Sequence, residues 1–262
     1  MQVCFLGSMR WRGFDTWPPP SSASHTLWLS HTGELDVSPP CWRRDGQPCV
    51  RSLQYAYRPA DPTPAAGGPS FNPLNAGGCS QSAIERRNDV LLFTSAELSE
   101  PLCLGGSGTL QVRVWASARS VDIVARVCRV DKRGRSTNVC EGLTRVNAEE
   151  GEASIGSGGS AAAGGANGGA TSGAGAGSDI GSGRLVSVEL APLAVDIAAG
   201  ERLRLHVCSA AHPRWMRNLC ADPSVPLHEQ MPPKGEEAEC IVRVGVNDEG
   251  CRLVLPIVAK GC

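Results

Sequence analysis

The chain has 262 residues, enough for one sizeable β domain or two small ones that need no disulfide or metal to hold them together. Its 25 Lys and Arg residues nearly balance 26 Asp and Glu residues, for a net charge of −1. This balance argues against nucleic acid and against an anionic membrane surface as partners. No apolar run approaches the roughly 20 residues that span a bilayer, and the first residues are too interrupted for a signal peptide. We therefore expect a soluble, untargeted protein, whose compartment stays open with the cytoplasm favoured.

Twelve cysteines are many for an intracellular domain, but they are scattered along the chain. The closest two are Cys41 and Cys49, so no C-x-x-C pair of the kind used by metal and redox sites is present. Free, partly buried thiols are the favoured interpretation, while some disulfides or a metal site stay open as alternatives. We predict neither a metal site nor a cofactor.

Short segments with apolar residues at every second position predict a set of β-strands. They are residues 26–29, 89–94, 110–114, 121–130, 185–190, 203–207, 241–246 and 253–258. Turn residues ending in Gly at 131–134 and 247–250 predict tight hairpins. Because 19 prolines are spread along the chain and no segment has a sustained helical period, the prediction is an all-β jelly-roll β-sandwich.

Residues 151–184 are composed almost entirely of Gly, Ala and Ser. Such a tract has too few side chains to bury to offset the entropy of ordering it. We predict a disordered low-complexity loop inserted within a single domain that covers residues 1–262.

Seven blocks of the sequence, in order, resemble the C-terminal domain of the X-Pro dipeptidyl-peptidase and cocaine-esterase family of serine hydrolases. The block that resembles this family most closely is the run from Glu85 to Ser95, E-R-R-N-D-V-L-L-F-T-S. The others include Trp11-Arg12 with Trp17-Pro18, Tyr55 to Pro64 with Gly67-Gly68, Asp122 to Val130 with Gly142 to Arg145, Gly200 to Leu205, Arg217-Asn218, and Arg252 to Pro256. The resemblance implies a galactose-binding-like jelly roll that packs against an α/β-hydrolase catalytic domain and a helical cap.

The chain shows no catalytic machinery of its own. A serine hydrolase presents its nucleophile in a G-x-S-x-G turn, and the nearest approach here, Gly105-Gly106-Ser107-Gly108-Thr109, is predicted to be a hairpin turn between strands. The five histidines lack metal spacing, and His206 is expected on the polar face of its strand. Asp89 and Asp122 are expected to cap turns or pair with arginines. We assign no catalytic residue, and whether the chain is an enzyme stays open.

One basic cluster is a candidate binding site. It consists of Arg126, Arg129, Lys132, Arg133 and Arg135 and could attract an acidic partner. Charges that protect an edge strand from pairing with another chain explain the cluster as well, and this interpretation is favoured.

Four tryptophans are candidates for contacts between domains or with a ligand: Trp11, Trp17, Trp115 and Trp215. Trp115 alternates with Leu110, Val112 and Val114, so we expect it to be an exposed aromatic side chain. Trp11 and Trp17 are expected to join the domain to its neighbour.

Two functions remain open. The first is a non-catalytic C-terminal domain that packs against and supports an α/β-hydrolase domain, present in the same longer product or on a separate chain. The activity that the resemblance implies for the family is that of a dipeptidyl-peptidase or an ester hydrolase. The alternative is a free-standing carbohydrate-binding jelly roll, in which Trp115 stacks on a sugar.

Overall fold

The computed structural model describes residues 1–19, 23–40, 51–70, 73–148, 155, 183–221, 224–225 and 239–258. Apart from one 3₁₀ turn at Pro73–Asn75, the regular structure in these ranges is β-strand, which confirms the all-β prediction. The strands are β1 Gln2–Phe5, β2 Arg10–Gly13, β3 Ala23–Leu29, β4 Glu34–Asp36, β5 Arg51–Tyr57, β6 Leu91–Ser95, β7 Leu102–Gly106, β8 Thr109–Ala116, β9 Ser120–Val130, β10 Ser136–Asn147, β11 Arg184–Glu189, β12 Leu193–Ile197, β13 Arg202–Cys208, β14 Cys240–Val246 and β15 Arg252–Ile257.

Thirteen of these strands form one hydrogen-bonded sheet in the order β10-β9-β13-β6-β4-β3-β15-β8-β14-β5, with β11 beside β8 and β12 beside β7. The sheet folds back on itself, because Ile123 and Val127 of β9 share one buried core with Val112 and Val114 of β8, although five strands lie between β9 and β8 in the sheet. Two facing layers around one core are a β-sandwich, as predicted. The finer assignment as galactose-binding-like stays a prediction.

The predicted alternation is clearest in β13. Leu203, Leu205 and Val207 are fully buried in the core between the layers. On the opposite face Arg202 is exposed, Arg204 is half-buried and His206 is fully buried. The outer face of this strand is therefore covered over part of its length, which a period of two does not reveal.

Two connections predicted to be hairpin turns are interruptions of long strands. β7 and β8 lie end to end along β15, since Leu104 pairs with Ile257 and Leu110 with Leu253. The Gly106–Gly108 stretch between them is therefore a bulge, with Gly106 at φ 124. In the same way β14 and β15 lie end to end along β8, so the turn at residues 247–250 forms but does not make a hairpin.

The hairpin predicted at residues 131–134 is confirmed, since β9 pairs with β10 directly across it. The Gly134 amide donates to the Asp131 carbonyl at 2.8 Å. The basic cluster is not an edge, because β9 lies between β10 and β13 in the interior of the sheet. Its first member, Arg126, is fully buried, so edge protection is the wrong explanation.

Most of the Gly/Ala/Ser tract, including residues 156–182, lies outside the described residues. Three positions within its predicted bounds are described, and they do not fit a disordered loop. Ile155 is buried and forms a bridge with Ala116. Gly183 lies against the ring of Trp115, and Arg184 begins β11.

Candidate interdomain surface

The first element of the chain is a separate two-stranded hairpin, β1 and β2, which the alternation pattern did not predict. Val3 pairs with Arg12 and Cys4 with Trp11 in an antiparallel register. Side chains directly opposite each other in such a pair lie on the same face. The hairpin therefore has one face with Val3, Phe5 and Arg12, and another with Cys4 and Trp11.

The inner face of the hairpin packs on the sandwich through a small aromatic core. Phe5 and Phe14 are buried, with ring centroids 5.9 Å apart, and Trp17 meets Phe5 edge to face at 6.4 Å. Val258, which follows β15, is buried in the same cluster. These contacts attach the hairpin to the closing strand of the sandwich.

Polar contacts hold the hairpin to β12. The Leu6 amide donates to the Ala194 carbonyl at 2.9 Å, and the Asp196 amide donates to the Leu6 carbonyl at 2.8 Å. The Arg12 guanidinium donates to both Asp196 carboxylate oxygens, at 2.8 and 3.1 Å, and lies 4.3 Å from the Phe5 ring centroid. Because Arg12 is half-buried, with Nη2 donating to both Asp196 oxygens and Nη1 donating to the Cys103 sulfur at 2.6 Å, these contacts orient the hairpin as well as attaching it.

Large apolar side chains are exposed on the hairpin, in its turn and at the residue that precedes it. Trp11 is 69% exposed, and this set is completed by Met1, Leu6 and Met9. We call Met1, Leu6, Met9 and Trp11 the hairpin surface. Single exposed apolar residues are ordinary, but a cluster on one small element is typical of an interaction site.

The four candidate tryptophans do not meet at one site. Trp11 is exposed on the hairpin surface, and Trp17 is half-buried in the aromatic core behind it. Trp215 packs on a different buried cluster, with Arg214 stacked 4.7 Å from its ring centroid.

The exposure expected for Trp115 is wrong. Its side chain alternates with Val112 and Val114 as predicted, but it is only 7% exposed, and Gly183 lies so close to the ring that no β-carbon would fit there. Alternation identifies the face of a strand but not what covers that face. The sugar-stacking role proposed for Trp115 loses its basis, since a stacking platform must be accessible.

A buried ionic network lies on the outer face of β9 and β10, opposite the hydrophobic core. Arg126 donates to Glu141 at 2.9 Å and to the Gln81 side chain at 3.3 Å, and all three residues are buried. Arg214 adds a second cation 3.1 Å from Glu141. We call Arg126, Glu141, Gln81 and Arg214 the covered network, because the loops that supply Gln81 and Arg214 close over the strands.

His206 lies beside this network, and it is buried instead of solvated. Its Nε2 atom is 3.0 Å from Glu85 Oε1 and 3.7 Å from the Cys128 sulfur. Burial lowers the pKa of His206. Burial also raises the pKa of Cys128 to about 12, so the thiol stays protonated. Although His, Glu and Cys occur together, a buried neutral thiol is not a nucleophile.

The expected pairing of the two aspartates is confirmed. Asp89 accepts from Arg87 at 2.7 Å and Asp122 accepts from Arg145 at 2.7 Å. Within the described ranges, no serine hydroxyl hydrogen-bonds to a histidine, and no three metal-binding side chains come together. Within those same ranges no helix is long and apolar enough to cross a membrane.

An open groove of about 630 Å³ is lined by residues of β3, β4 and β6 and by the start of β13. Its charged residues are largely engaged with neighbours, with Arg202 donating to Glu97 at 2.8 Å and Glu34 accepting from Thr32 at 2.7 Å. The hairpin surface is therefore the stronger candidate for function.

Sequence reasoning named Trp11 as a candidate contact but missed the rest of the hairpin surface and the covered network. β1 and β2 have four residues each, too few for a recognisable period. The Trp11-Arg12 and Trp17-Pro18 pairs were the available signal for the hairpin. Nothing local to Arg126 indicates burial, because its partners lie on segments far away in the chain.

Comparison with known proteins gives a family match over most of the chain. Residues 4–231 match the family described as the X-Pro dipeptidyl-peptidase C-terminal non-catalytic domain. The cocaine esterase of Rhodococcus sp. (strain MB1 Bresler) is 29% identical over 158 residues, which cover 57% of this chain and 27% of the esterase.

Two solved structures share the fold. An aminopeptidase from the marine sediment archaeon Thaumarchaeota archaeon superimposes with a TM-score of 0.72 at 16% identity, covering 98% of this chain and 40% of its own. An α-amino acid ester hydrolase superimposes with a TM-score of 0.72 at 20% identity, covering 98% of this chain and 41% of its own. The chain thus spans between a quarter and about two fifths of these relatives, and it belongs to the family of X-Pro dipeptidyl-peptidase C-terminal non-catalytic domains.

Proposed function

We propose that this chain packs against an α/β-hydrolase catalytic domain of a serine hydrolase that cleaves peptide or ester bonds, and that the hairpin surface forms part of the contact. The catalytic domain is supplied by the same longer product or by a separate chain. The observation that carries the proposal is the exposed set around Trp11 on an element whose opposite face is fixed to the sandwich.

The geometry supports docking at this place for two reasons. The hairpin is held by the Arg12–Asp196 pair and by backbone hydrogen bonds to β12, so its outer face is presented in one orientation before any partner arrives. Preorganisation lowers the entropic cost of binding, and buried tryptophans contribute disproportionately to interface energies.

The family and its relatives support the nature of the partner. The matched family is non-catalytic by description, and the aligned relatives are two to four times longer than the segment that aligns. Their names include an esterase, an aminopeptidase and an ester hydrolase, which supports peptide or ester bonds as the substrate class. This chain would act by packing, and a bound partner would be stabilised by mass action.

The test places a photo-crosslinking amino acid, p-benzoylphenylalanine, at position 11 of the protein expressed in its source cells. After irradiation, the cells are treated with a fluorophosphonate probe that labels active serine hydrolases. We expect the crosslinked product to carry the probe, either as a heterodimer or as a longer product crosslinked to itself. The matched control carries the crosslinker at Val37, which is 70% exposed and directly follows β4.

A probe-labelled crosslink at position 11 that is absent at position 37 supports the proposal. A crosslinked product without the label, equal crosslinking at both positions, or no crosslink at position 11 contradicts it.

A further inference from the structure

The outer face of the layer that holds β8 carries a row of side chains that pair across five strands. Trp28 of β3 is the register partner of Asp36 in β4 and of Arg252 in β15. Arg252 pairs in turn with Gln111 of β8, and Gln111 pairs with Ser187 of β11. Side chains that stand directly opposite each other across neighbouring strands lie on one face. We call Asp36, Trp28, Arg252, Gln111 and Ser187 the polar row.

The polar row faces away from the core and is accessible. Leu27 and Leu29, on either side of Trp28 in β3, are buried in the core between the layers, so Trp28 points outward. Asp36 and Ser187 are exposed, and the three members between them are half-buried. Because neighbouring strands lie about 4.8 Å apart, the polar row extends over about 19 Å.

The exposed part of the Trp28 side chain is ring carbon. Its polar atom, Nε1, is buried, while the residue as a whole is half-buried. A carbon surface of this kind can stack on the C–H face of another ring. Trp115, which the sequence indicated for sugar stacking, is buried, whereas Trp28 keeps the accessibility that stacking requires.

Hydrogen-bond acceptors and donors lie on opposite sides of the Trp28 ring. On one side, partial burial and the charge of Glu34 raise the pKa of Asp36, and the described residues supply no cation to this carboxylate. On the other side, the Arg252 Nε atom donates to the Gln111 Oε1 atom at 3.0 Å, which orients both side chains. Within the described ranges this bond leaves the terminal nitrogens of Arg252 and the amide nitrogen of Gln111 as donors.

The balance of these groups indicates the class of ligand. The polar row carries one carboxylate and one guanidinium, so a ligand without net charge matches it. A hydroxyl group both donates and accepts, and a ring with several hydroxyls can therefore bond to Asp36 on one side of Trp28 and to Arg252 on the other. The core of a protein–protein contact is instead depleted in charged residues, so a protein surface fits the polar row less well.

We propose that the polar row binds a neutral oligosaccharide. One sugar ring lies with its C–H face on Trp28, its hydroxyls donate to Asp36, and they accept from Arg252 and Gln111. Asp36 also lines the open groove of about 630 Å³, so a longer sugar chain can continue from the polar row into this groove. The proposal is independent of the hydrolase contact, since the polar row and the hairpin surface share no residue.

The test titrates the purified full chain in a calorimeter with four neutral hexasaccharides, which are cellohexaose, maltohexaose, xylohexaose and mannohexaose. We expect at least one of them to bind with a Kd below about 1 mM. Trp28→Ala should weaken this binding at least about ten-fold, because it removes the stacking surface. Asp36→Asn should weaken it about five-fold, because a neutral amide oxygen accepts more weakly than a carboxylate. The matched control Asp15→Asn changes an exposed carboxylate outside the polar row and should leave the Kd unchanged.

If Trp28→Ala does not fold, the comparison of Asp36→Asn with Asp15→Asn still decides the question, since both positions are exposed. A hydrolase domain is the competing occupant of this face. We therefore place p-benzoylphenylalanine at Ser187 in the source cells and expect no crosslinked product that carries the fluorophosphonate probe.

Four results would overturn the proposal: no binding of any hexasaccharide, an unchanged Kd in the Trp28 or the Asp36 variant, an equal loss in the Asp15 variant, or a probe-labelled crosslink at position 187. None of them bears on the crosslink at position 11, so the proposed hydrolase contact stands or falls separately.

Discussion

The hairpin surface and the covered network are two outward-facing parts of the same domain that differ in what lies over them. Over β9 and β10, the chain supplies its own cover, and charged groups such as Arg126 and Glu141 are buried in mutual hydrogen bonds. Over the hairpin no described segment provides cover, and apolar groups such as Trp11 and Met9 face outward. A face that the chain itself covers can be polar when its charged side chains are paired with one another. A face that contacts another domain is instead apolar and accessible before that domain binds.

The largest expected effect lies in the covered network. Arg126→Met removes the cation from the Glu141 pair and leaves Gln81 without its donor, and we expect the free energy of unfolding to fall by about 3 kcal/mol. Urea denaturation followed by fluorescence measures the change. Arg202→Met is the matched control, since the Arg202–Glu97 pair is largely exposed and should contribute less than about 0.5 kcal/mol. Equal losses for the two variants would refute a structural role for the buried network.

A smaller effect separates the two faces of the hairpin. Trp17→Ala removes a ring packed on Phe5 and Phe14 and should lower the free energy of unfolding by about 2 kcal/mol. Trp11→Ala should change it by less than about 0.5 kcal/mol in the isolated chain, because an exposed ring loses little when truncated. Thermal melting of both variants provides the comparison. A Trp11 variant as unstable as the Trp17 variant would show that the hairpin surface is covered in the isolated chain.

The smallest effect is a dependence on pH at the margin of the covered network. Burial alone would raise the pKa of Glu85, but its hydrogen bond with His206 and the charge of Arg204 overcome this and lower the pKa to about 2. Because the folded pKa lies below the unfolded value, the stabilisation is complete above about pH 4.5 and is lost as the pH falls from there towards 2.

We expect the stability difference between the unmodified chain and Glu85→Gln to shrink by about 1–2 kcal/mol between pH 5 and pH 3. Urea titrations at several pH values measure it, and subtracting the variant cancels the other carboxylates. A difference that stays constant over this range would show that Glu85 is not held as an anion by His206 and Arg204.

Strands and the faces of their residues could be predicted from sequence where local alternation determined them, as in β13. The Gly106–Gly108 bulge could not be distinguished from a hairpin, because turn residues suit both and the choice depends on β15, far away in the chain. The burial of Trp115 and Arg126 depends in the same way on Gly183 and on Gln81. What covers a strand is a tertiary property, and period-two reasoning contains no information about it.

The short second strand of the hairpin has a consequence for the protein before it meets a partner. Within the described residues β2 pairs with β1 alone, so its other edge offers unpaired backbone groups beside an exposed indole. Such an edge is a template for stacking of copies into aggregates. Arg12 is paired with Asp196, but Arg10 is exposed next to Trp11 on this strand, and a charge on an edge strand makes edge-to-edge addition of a second copy unfavourable. Arg10 is thus expected to oppose self-association at the edge of the hairpin.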